Sequence, residues 1–135
     1  MSTTEHRAAT PASTILVVDD NELNRDLLSR RLRRDGHVVT VAEDGRVALD
    51  RLAKEPFDLV LLDIMMPELT GYEVLEIMKG DAALAHIPVV MITAATEEES
   101  IVRCLALGAD DHLPKPFNPA ILRARVGSSL APTTC

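Results

Sequence analysis

The sequence predicts a doubly wound α/β domain, in which helices pack on both faces of a parallel β-sheet. Short apolar runs rich in β-branched residues alternate five times with amphipathic segments. This alternation is typical of parallel strands joined by right-handed helical crossovers. The runs "ILVV" and "VLL" are apolar at successive positions, as in strands that are buried on both faces. The 135 residues have the length of one domain.

Each element has its own signal. The predicted strands are 14–18, 38–42, 59–62, 89–93 and a weaker one at 111–113, and the predicted helices are 22–35, 45–55, 72–79, 97–107 and 119–130. Apolar residues at helical spacing predict the faces that pack on the sheet: Leu23, Leu27, Leu28 and Leu32 in the first helix, and Ile121, Leu122 and Val126 in the last. The basic cluster of the first helix then faces solvent: Arg30, Arg31, Arg33 and Arg34.

Glycine and proline mark the ends of several elements. Gly36, Gly80 and Gly108 each follow a predicted helix, where a left-handed residue is expected. Pro119 suits the first turn of the last helix. Residues 1–13 lack apolar periodicity and predict a disordered N-terminal tail, residues 14–130 form the domain, and residues 131–135 are a C-terminal tail.

The composition argues against several functions. A net charge of −7 disfavours direct nucleic-acid binding, because such binding uses a basic face. The aromatic residues are Phe57, Tyr72 and Phe117, which do not suggest a stacking platform for single-stranded nucleic acid. No apolar run approaches the ~20 residues of a membrane span, and no signal segment is recognisable, so we expect a cytoplasmic protein without membrane contact. Cys104 and Cys135 lack metal-ligand spacing, and Cys104 is predicted to be a small core residue.

Two predicted strands end in carboxylates. Asp19 and Asp20 follow the first strand, and Asp63 ends the third. Sites in open parallel sheets form at the carboxyl ends of the strands, so the three acids converge if these strands are neighbours. Their repulsion then calls for a cation, and a hard divalent ion such as Mg²⁺ takes oxygen ligands. The alternative is that Asp20 or Asn21 only caps the first helix.

The next two strand ends carry a hydroxyl group and an amine. Thr93 lies in "MITAAT" at the end of the fourth strand, and Lys115 lies in "HLPKPF" after the fifth. Acids, a hydroxyl and an amine are together the groups that handle a phosphoryl group. Taken alone, Thr93 would more often bond to local backbone and Lys115 would more often be a solvated surface charge.

Four motifs together resemble the receiver domains of response regulators in two-component signalling: "ILVVDDN", "VLLDIMMPELTGYEVL", "VVMITA" and "GADDHLPKPF". The resemblance covers about residues 14–130, with every signature residue in order. It implies a flavodoxin-like receiver fold with the strand order 2-1-3-4-5.

The resemblance also implies a phosphorelay switch. Asp63 would be the phosphoacceptor for a phosphohistidine on a histidine kinase or a histidine phosphotransfer protein. Asp20 would bind Mg²⁺ directly and Asp19 largely through water, with Asp63 and the backbone carbonyl of Met65 as further ligands. Mn²⁺ is an alternative ion.

The same resemblance assigns roles to residues on the last two strands. Thr93 and Lys115 would contact phosphoryl oxygens, and a cis peptide bond before Pro116 would aim the lysine inward. His112 stands where the family usually has an aromatic residue that changes rotamer as the hydroxyl of Thr93 moves. Histidine is titratable, so this switch pair is expected to couple differently or to depend on pH. A plain surface histidine is the alternative.

Phosphorylation would change the face formed by the fourth helix, the fifth strand and the fifth helix, which would dock an effector domain or a second copy. The expected protein is a switch rather than an enzyme, because it would promote only its own phosphorylation and dephosphorylation. Three other functions stay open on the residues alone. They are an interaction domain that acts without phosphorylation, a phosphohydrolase with Asp63 as nucleophile, and a flavodoxin-like cofactor carrier.

Overall fold

The computed structural model describes residues 13–94, 98–115 and 117–130. The predicted tails, apart from Ser13, lie outside the described residues. So do Glu97, at the predicted start of the fourth helix, and the predicted cis bond at Pro116.

Five parallel strands form one sheet in the order β2-β1-β3-β4-β5, which confirms the predicted fold class and strand order. The strands are β1 Thr14–Val18, β2 Val38–Ala42, β3 Leu59–Asp63, β4 Val89–Ala94 and β5 Asp111–Lys115. The last three run one or two residues beyond their predicted ends. The extension matters because it makes Asp63 and Lys115 strand residues, whose positions are set by the sheet.

Five helices cover the two faces of the sheet: α1 Glu22–Arg34, α2 Gly45–Lys54, α3 Gly71–Gly80, α4 Glu98–Ala106 and α5 Pro119–Leu130. Alternate residues of β1 show the division. Leu16 and Val18 belong to the core that includes buried residues of α2, α3 and α4, whereas Ile15 and Val17 belong to the core with α1 and α5. Successive side chains of a strand point to opposite faces, so each apolar run serves two helical layers.

Local chemistry accounts for the helix ends. Asn21, Asp44 and Thr70 are the N-caps of α1, α2 and α3, and each side chain accepts a hydrogen bond from the backbone N–H three residues on. Gly36 and Gly108 have φ angles of 97° and 103°, as their positions after helices predicted. The expectation for Gly80 was wrong, because Gly80 is the last residue of α3 and is not among the residues with positive φ.

The structure buries only part of each predicted apolar stripe. Leu28 and Leu32 are buried against the sheet, but Leu23 and Leu27 are 65% and 50% exposed. Ile121 is likewise 36% exposed, while the other two members of its stripe are buried. A helix of this size buries only the side chains that point directly at the sheet, so residues at the margin of an apolar stripe stay accessible.

Cys104 is fully buried, which confirms it as a core residue. Among the described residues, no helix combines the length and the apolar character that a membrane crossing requires.

Candidate functional site

Three carboxylates meet at the carboxyl end of the sheet. Asp19 directly follows β1, and Asp63 is the last residue of β3. These strands are paired, with Val18 opposite Leu62, so they end at the same level. Each of Asp19, Asp20 and Asp63 offers an oxygen atom, and these atoms all lie within 4.8 Å of one another.

The two acids of the β1–α1 loop differ in their surroundings. Asp19 is fully buried, whereas Asp20 is exposed. The Oδ1 of Asp19 accepts a hydrogen bond from the backbone N–H of Asn21 at 2.9 Å. Its Oδ2 is buried without a hydrogen-bond partner in the described part of the chain. A buried carboxylate oxygen without a donor is costly, so this atom marks a place where a ligand would be stabilising.

Asp63 is the buried centre of the cluster, with 2% of its surface exposed. The pKa of its carboxyl group is raised from 3.8 to about 6, chiefly because burial removes water from the charged form. The charge of Asp19 raises this pKa further, and Asp20 adds a smaller contribution in the same direction. Lys115 opposes them with its charge and with a hydrogen bond from Nζ to Asp63 Oδ1 at 3.3 Å. Lys115 thus offsets part of the rise in pKa that burial and the two neighbouring acids cause at Asp63.

Thr93 lies on β4, the strand beside β3, one residue beyond the partner of Asp63. Its side chain is 2% exposed, and its Oγ1 is buried without a hydrogen-bond partner among the described residues. Taken alone, a threonine at a strand end was expected to bond to local backbone. The structure instead shows a free hydroxyl beside the acid cluster.

The loop after Asp63 is wound tightly against the strand end. The N–H of Gly71 donates to the carbonyl of Ile64 at 2.8 Å. A Cβ atom at Gly71 would overlap the carbonyl of Asp63 and would lie 2.7 Å from the Cα of Ile64. The loop also places Glu68 at a φ of 67°, which the sequence did not indicate. Gly71 is therefore required for the close approach of backbone to backbone at the site.

The two methionines of this loop differ. Met66 is buried, and Met65 is 70% exposed. The thioether of Met65 suits Mg²⁺ poorly, so the group that the resemblance implies as a ligand is its backbone carbonyl.

His112 is neither a core residue nor a plain surface residue. Its side chain is 28% exposed, with Nδ1 3.8 Å from Asp111 Oδ1. The carbonyl of His112 accepts a hydrogen bond from Nε of Arg125 at 3.0 Å, which ties α5 to β5 beside this residue.

Sequence reasoning missed Arg25. Its Nη1 donates to the backbone carbonyl of Asp19 at 2.8 Å. The missed signal is its spacing: Arg25 lies four residues after Asn21, so one turn of α1 brings it back over the loop that carries the two acids.

The residues present fit a hard divalent cation. Three oxygen donors lie within 4.8 Å of one another, and one buried carboxylate oxygen has no donor among the described residues. Burial and the charges of the neighbouring acids together raise the pKa of Asp63, so the ionised cluster would be stabilised by a cation. Ions such as Mg²⁺ and Mn²⁺ take oxygen ligands of this type.

Comparisons with known proteins place this chain in a family. Residues 15–127 match the response regulator receiver domain model. The chain belongs to the response regulator receiver family.

Over 116 residues it is 43% identical to the alkaline phosphatase synthesis transcriptional regulatory protein PhoP of Bacillus subtilis, covering 86% of this chain and 48% of that protein. Over 117 residues it is 41% identical to a probable cyclic di-GMP phosphodiesterase of Vibrio cholerae, covering 87% of this chain and 26% of that protein. The structure is similar to that of the chemotaxis protein CheY4 of Vibrio cholerae, with a TM-score of 0.83, 34% identity and coverage of 88% and 99% of the two chains.

Membership of the receiver family gives the chain a phosphoacceptor signalling role in two-component systems, in which receiver domains partner with histidine kinases and bind Mg²⁺ at an acidic pocket. Receiver domains are generally switches without enzymatic output of their own. This chain spans 48% of PhoP and 26% of the Vibrio cholerae phosphodiesterase. The names of those two relatives describe different activities.

Proposed function

We propose that this receiver domain is switched by transfer of a phosphoryl group from a phosphohistidine to Asp63. The observation that carries the proposal is the buried carboxylate of Asp63, held 3.3 Å from Lys115 and within 4.8 Å of two further acids. The donor would be a histidine kinase or a histidine phosphotransfer protein. This arrangement suits a nucleophile that forms an acyl phosphate.

In the proposed reaction, an oxygen atom of the ionised Asp63 carboxylate forms a bond to phosphorus while the bond from phosphorus to the donor imidazole nitrogen breaks. The electron pair of that bond stays on the imidazole, which takes up a proton. A pKa of about 6 leaves most of Asp63 ionised at neutral pH, so the nucleophilic form is available without a separate base.

The residues around Asp63 have separate roles in this proposal. Before transfer, the ammonium group of Lys115 orients the Asp63 carboxylate, and after transfer it pairs with a phosphoryl oxygen. The unpartnered hydroxyl of Thr93 gains an acceptor when a phosphoryl oxygen arrives. Thr93 lies on β4, next to β3, and Lys115 lies on β5, one strand further. Because both groups are held by the sheet, they are positioned before the transfer.

Asp19, Asp20, Asp63 and the backbone carbonyl of Met65 would hold the cation, with Mg²⁺ as the first choice and Mn²⁺ as an alternative. When bound, the cation neutralises the negative charge that gathers on the phosphoryl oxygens.

Thr93 and His112 form the proposed switch pair. The hydroxyl of Thr93 has an unmet hydrogen-bonding capacity that phosphorylation would satisfy, and the half-buried ring of His112 lies on the adjacent β5. If His112 transmits the change, His112→Tyr should alter partner binding that depends on phosphorylation, or its pH dependence. Unchanged behaviour in both would contradict this role.

The output face in the proposal consists of α4, β5 and α5, and its occupant is an effector domain or a second copy. Val102 and Leu105 on α4 are 66% and 50% exposed, which provides apolar contact area. Two arginines of α5 already have intramolecular partners, because Arg123 lies 3.5 Å from Asp35 and Arg125 lies 3.5 Å from Asp111. Their intramolecular pairs would have to open for intermolecular pairing.

The test is the intact mass of the protein after incubation with acetyl phosphate, in Mg²⁺ or in excess EDTA, for the parent and for Asp63→Asn. We expect a gain of about one phosphoryl group in the parent with Mg²⁺ and no gain in the variant, because the amide is not a nucleophile. If no gain is seen, beryllofluoride titration followed by NMR tests the site without a phosphoryl donor. Silence in both experiments would overturn the proposal in favour of an interaction domain that acts without phosphorylation.

A further inference from the structure

Arg25 supports the loop that carries two of the three acids. Its Nη1 donates to the carbonyl of Asp19 at 2.8 Å, and this bond is partly buried. On the other side of the same residue, the N–H of Asp19 donates to the carbonyl of Ala42 at 3.2 Å. The backbone of Asp19 is therefore held both by the neighbouring strand β2 and by the side chain of Arg25.

The rest of the loop is held by helix α1. The Asn21 side chain caps the helix by accepting from the N–H of Asn24 at 3.0 Å, and the N–H of Arg25 donates to the carbonyl of Asn21 at 3.0 Å. The backbone of Arg25 thus belongs to the capped first turn of α1, and its side chain extends back to the carbonyl of Asp19. This closes a short ring of hydrogen bonds around the loop from Asp19 to Asn21.

The three carboxylates of the site repel one another. Asp19, Asp20 and Asp63 lie within 4.8 Å of one another at their oxygen atoms, and the charges of the first two raise the pKa of the third. Without a cation, the repulsion between these charges favours a separation of the β1–α1 loop from β3. A site that is held in its binding geometry avoids the cost of closing against this repulsion when the ion arrives.

We propose that Arg25 is a positioning residue for the cation site, which holds Asp19 and Asp20 against Asp63 by fixing the Asp19 carbonyl. The inference rests on the proposed function, because it presumes that the three acids bind a divalent cation. The partner of Arg25 in the structure is a carbonyl oxygen, so its role is to place the acids.

The sign of the effect separates positioning from simple electrostatics. Removing a positive charge near an acidic site would by Coulomb's law tighten the binding of a dication. Removing a support for the ligands would weaken it, and loss of such an outer contact typically lowers metal affinity about tenfold or more. The two explanations therefore predict opposite changes in the dissociation constant of Mg²⁺.

The experiment compares the parent, Arg25→Met, Arg25→Lys and the matched control Arg34→Met. Methionine keeps much of the aliphatic stem and removes the donors, while lysine keeps a charged donor without the planar fork. Arg34 is an exposed cation in the last turn of the same helix, and its substitution changes the net charge equally. The readout is the dissociation constant of Mg²⁺ from NMR titration of backbone amides, starting from EDTA-treated protein.

We expect Arg25→Met to raise the dissociation constant about tenfold, Arg25→Lys to raise it less, and Arg34→Met to leave it within about twofold or to lower it. With acetyl phosphate, the Mg²⁺ concentration for half-maximal phosphorylation of Arg25→Met should rise by the same factor, while the maximal rate at saturating Mg²⁺ is retained. A merely structural role would lower the thermal midpoint in EDTA without moving the Mg²⁺ dependence.

An unchanged or lowered dissociation constant in Arg25→Met would overturn the inference, as would an equal rise in Arg34→Met. If Arg25→Met does not fold, Arg25→Gln takes its place, because its shorter neutral side chain also removes the guanidinium donor. Wild-type affinity in that folded variant would overturn the inference. Failure of the parent to bind Mg²⁺ would overturn both this inference and the proposed cation site. Normal binding in the parent with no change in the Arg25 variants would overturn the inference alone.

Discussion

The two ends of the sheet use aspartates in opposite ways. At the amino end, Asp58 exchanges two hydrogen bonds with Thr14: its N–H donates to the Thr14 carbonyl at 2.8 Å, and its Oδ2 accepts from the Thr14 N–H at 2.8 Å. Asp110 repeats this pairing with Val89, at 2.9 and 2.8 Å. These acids satisfy the first backbone groups of β1 and β4, where the strand ladders begin.

At the carboxyl end, the acids face one another. Asp19 and Asp63 are buried, an oxygen of Asp19 and the hydroxyl of Thr93 lack partners within the described residues, and the pKa of Asp63 is raised to about 6. Buried polar groups are normally satisfied, and exceptions concentrate where a ligand will complete them. Aspartate thus completes strand ladders at the amino end of this sheet, whereas at the carboxyl end the buried charge of Asp63 is expected to oppose folding.

The largest expected effect concerns the backbone at the carboxyl end. Gly71→Ala should lower the free energy of unfolding by about 3 kcal/mol, because the new Cβ would meet backbone atoms that cannot rotate away. Urea denaturation measures the change. Gly80→Ala is the matched control in the same helix, since a Cβ there meets nothing within 4 Å; it should be neutral or stabilise by about 0.5 kcal/mol. Equal effects of the two substitutions would refute the close approach at Gly71.

The next effect tests whether Asp63 opposes folding. In the absence of divalent cations at pH 7, Asp63→Asn should raise the free energy of unfolding by on the order of 2 kcal/mol, because the variant lacks the buried charge. The folded state holds its proton up to about pH 6, whereas the unfolded state releases it near 3.8. The unfolded chain therefore binds fewer protons between these values, and the stability of the parent falls as pH rises through this window.

Urea denaturation of the parent and of Asp63→Asn in EDTA, from pH 4 to pH 8, isolates this contribution. The stability difference should be small at about pH 4, grow until about pH 6 and then stay constant. A difference that does not change with pH would show that the Asp63 charge does not oppose folding. Added Mg²⁺ should stabilise the parent more than the variant, because binding to the folded state raises stability.

A smaller effect of opposite sign is expected at the amino end. Asp110→Ala should lower the free energy of unfolding by about 1 kcal/mol, because the N–H of Val89 loses its acceptor. Asp110→Asn is the control, since its amide oxygen still accepts a hydrogen bond. Thermal or urea unfolding of both variants gives the comparison. Destabilisation by asparagine as large as by alanine would mean that the charge of Asp110 matters more than its hydrogen bond.

The smallest expected change in stability is at Thr93. Thr93→Val replaces a buried hydroxyl without a partner by a methyl group of similar size, so the free energy of unfolding should stay within about 1 kcal/mol of the parent or rise. The rate of phosphorylation by acetyl phosphate should fall by a factor of about 100, because a donor to the phosphoryl group is lost. A stable variant with an unchanged rate would remove Thr93 from the proposed machinery, and Thr93→Ser should restore the rate.

The boundaries of the elements followed from local signals. Strand positions were predicted to within two residues because apolar runs and turn residues act over short distances. The burial of side chains at the edges of the apolar stripes was harder to predict: Leu23, Leu27 and Ile121 were expected to be buried and are exposed. Which side of a stripe touches the sheet depends on how the whole helix is oriented, and periodicity alone does not specify that orientation.

The order of the residues specified which chemical groups stand at the strand ends, and the alternation of strands with helices indicated that these ends share one edge of the sheet. How those groups meet depends on the packing of the folded chain. The folded structure buries Asp63 beside Lys115, 52 positions away. It also leaves Oδ2 of Asp19 without a hydrogen-bond partner among the described residues and brings Arg25 to the Asp19 carbonyl. The pKa of a carboxyl group, and whether its oxygen atoms accept hydrogen bonds, depend on desolvation and on the neighbouring side chains. Desolvation and these neighbours arise only when distant segments of the chain pack together.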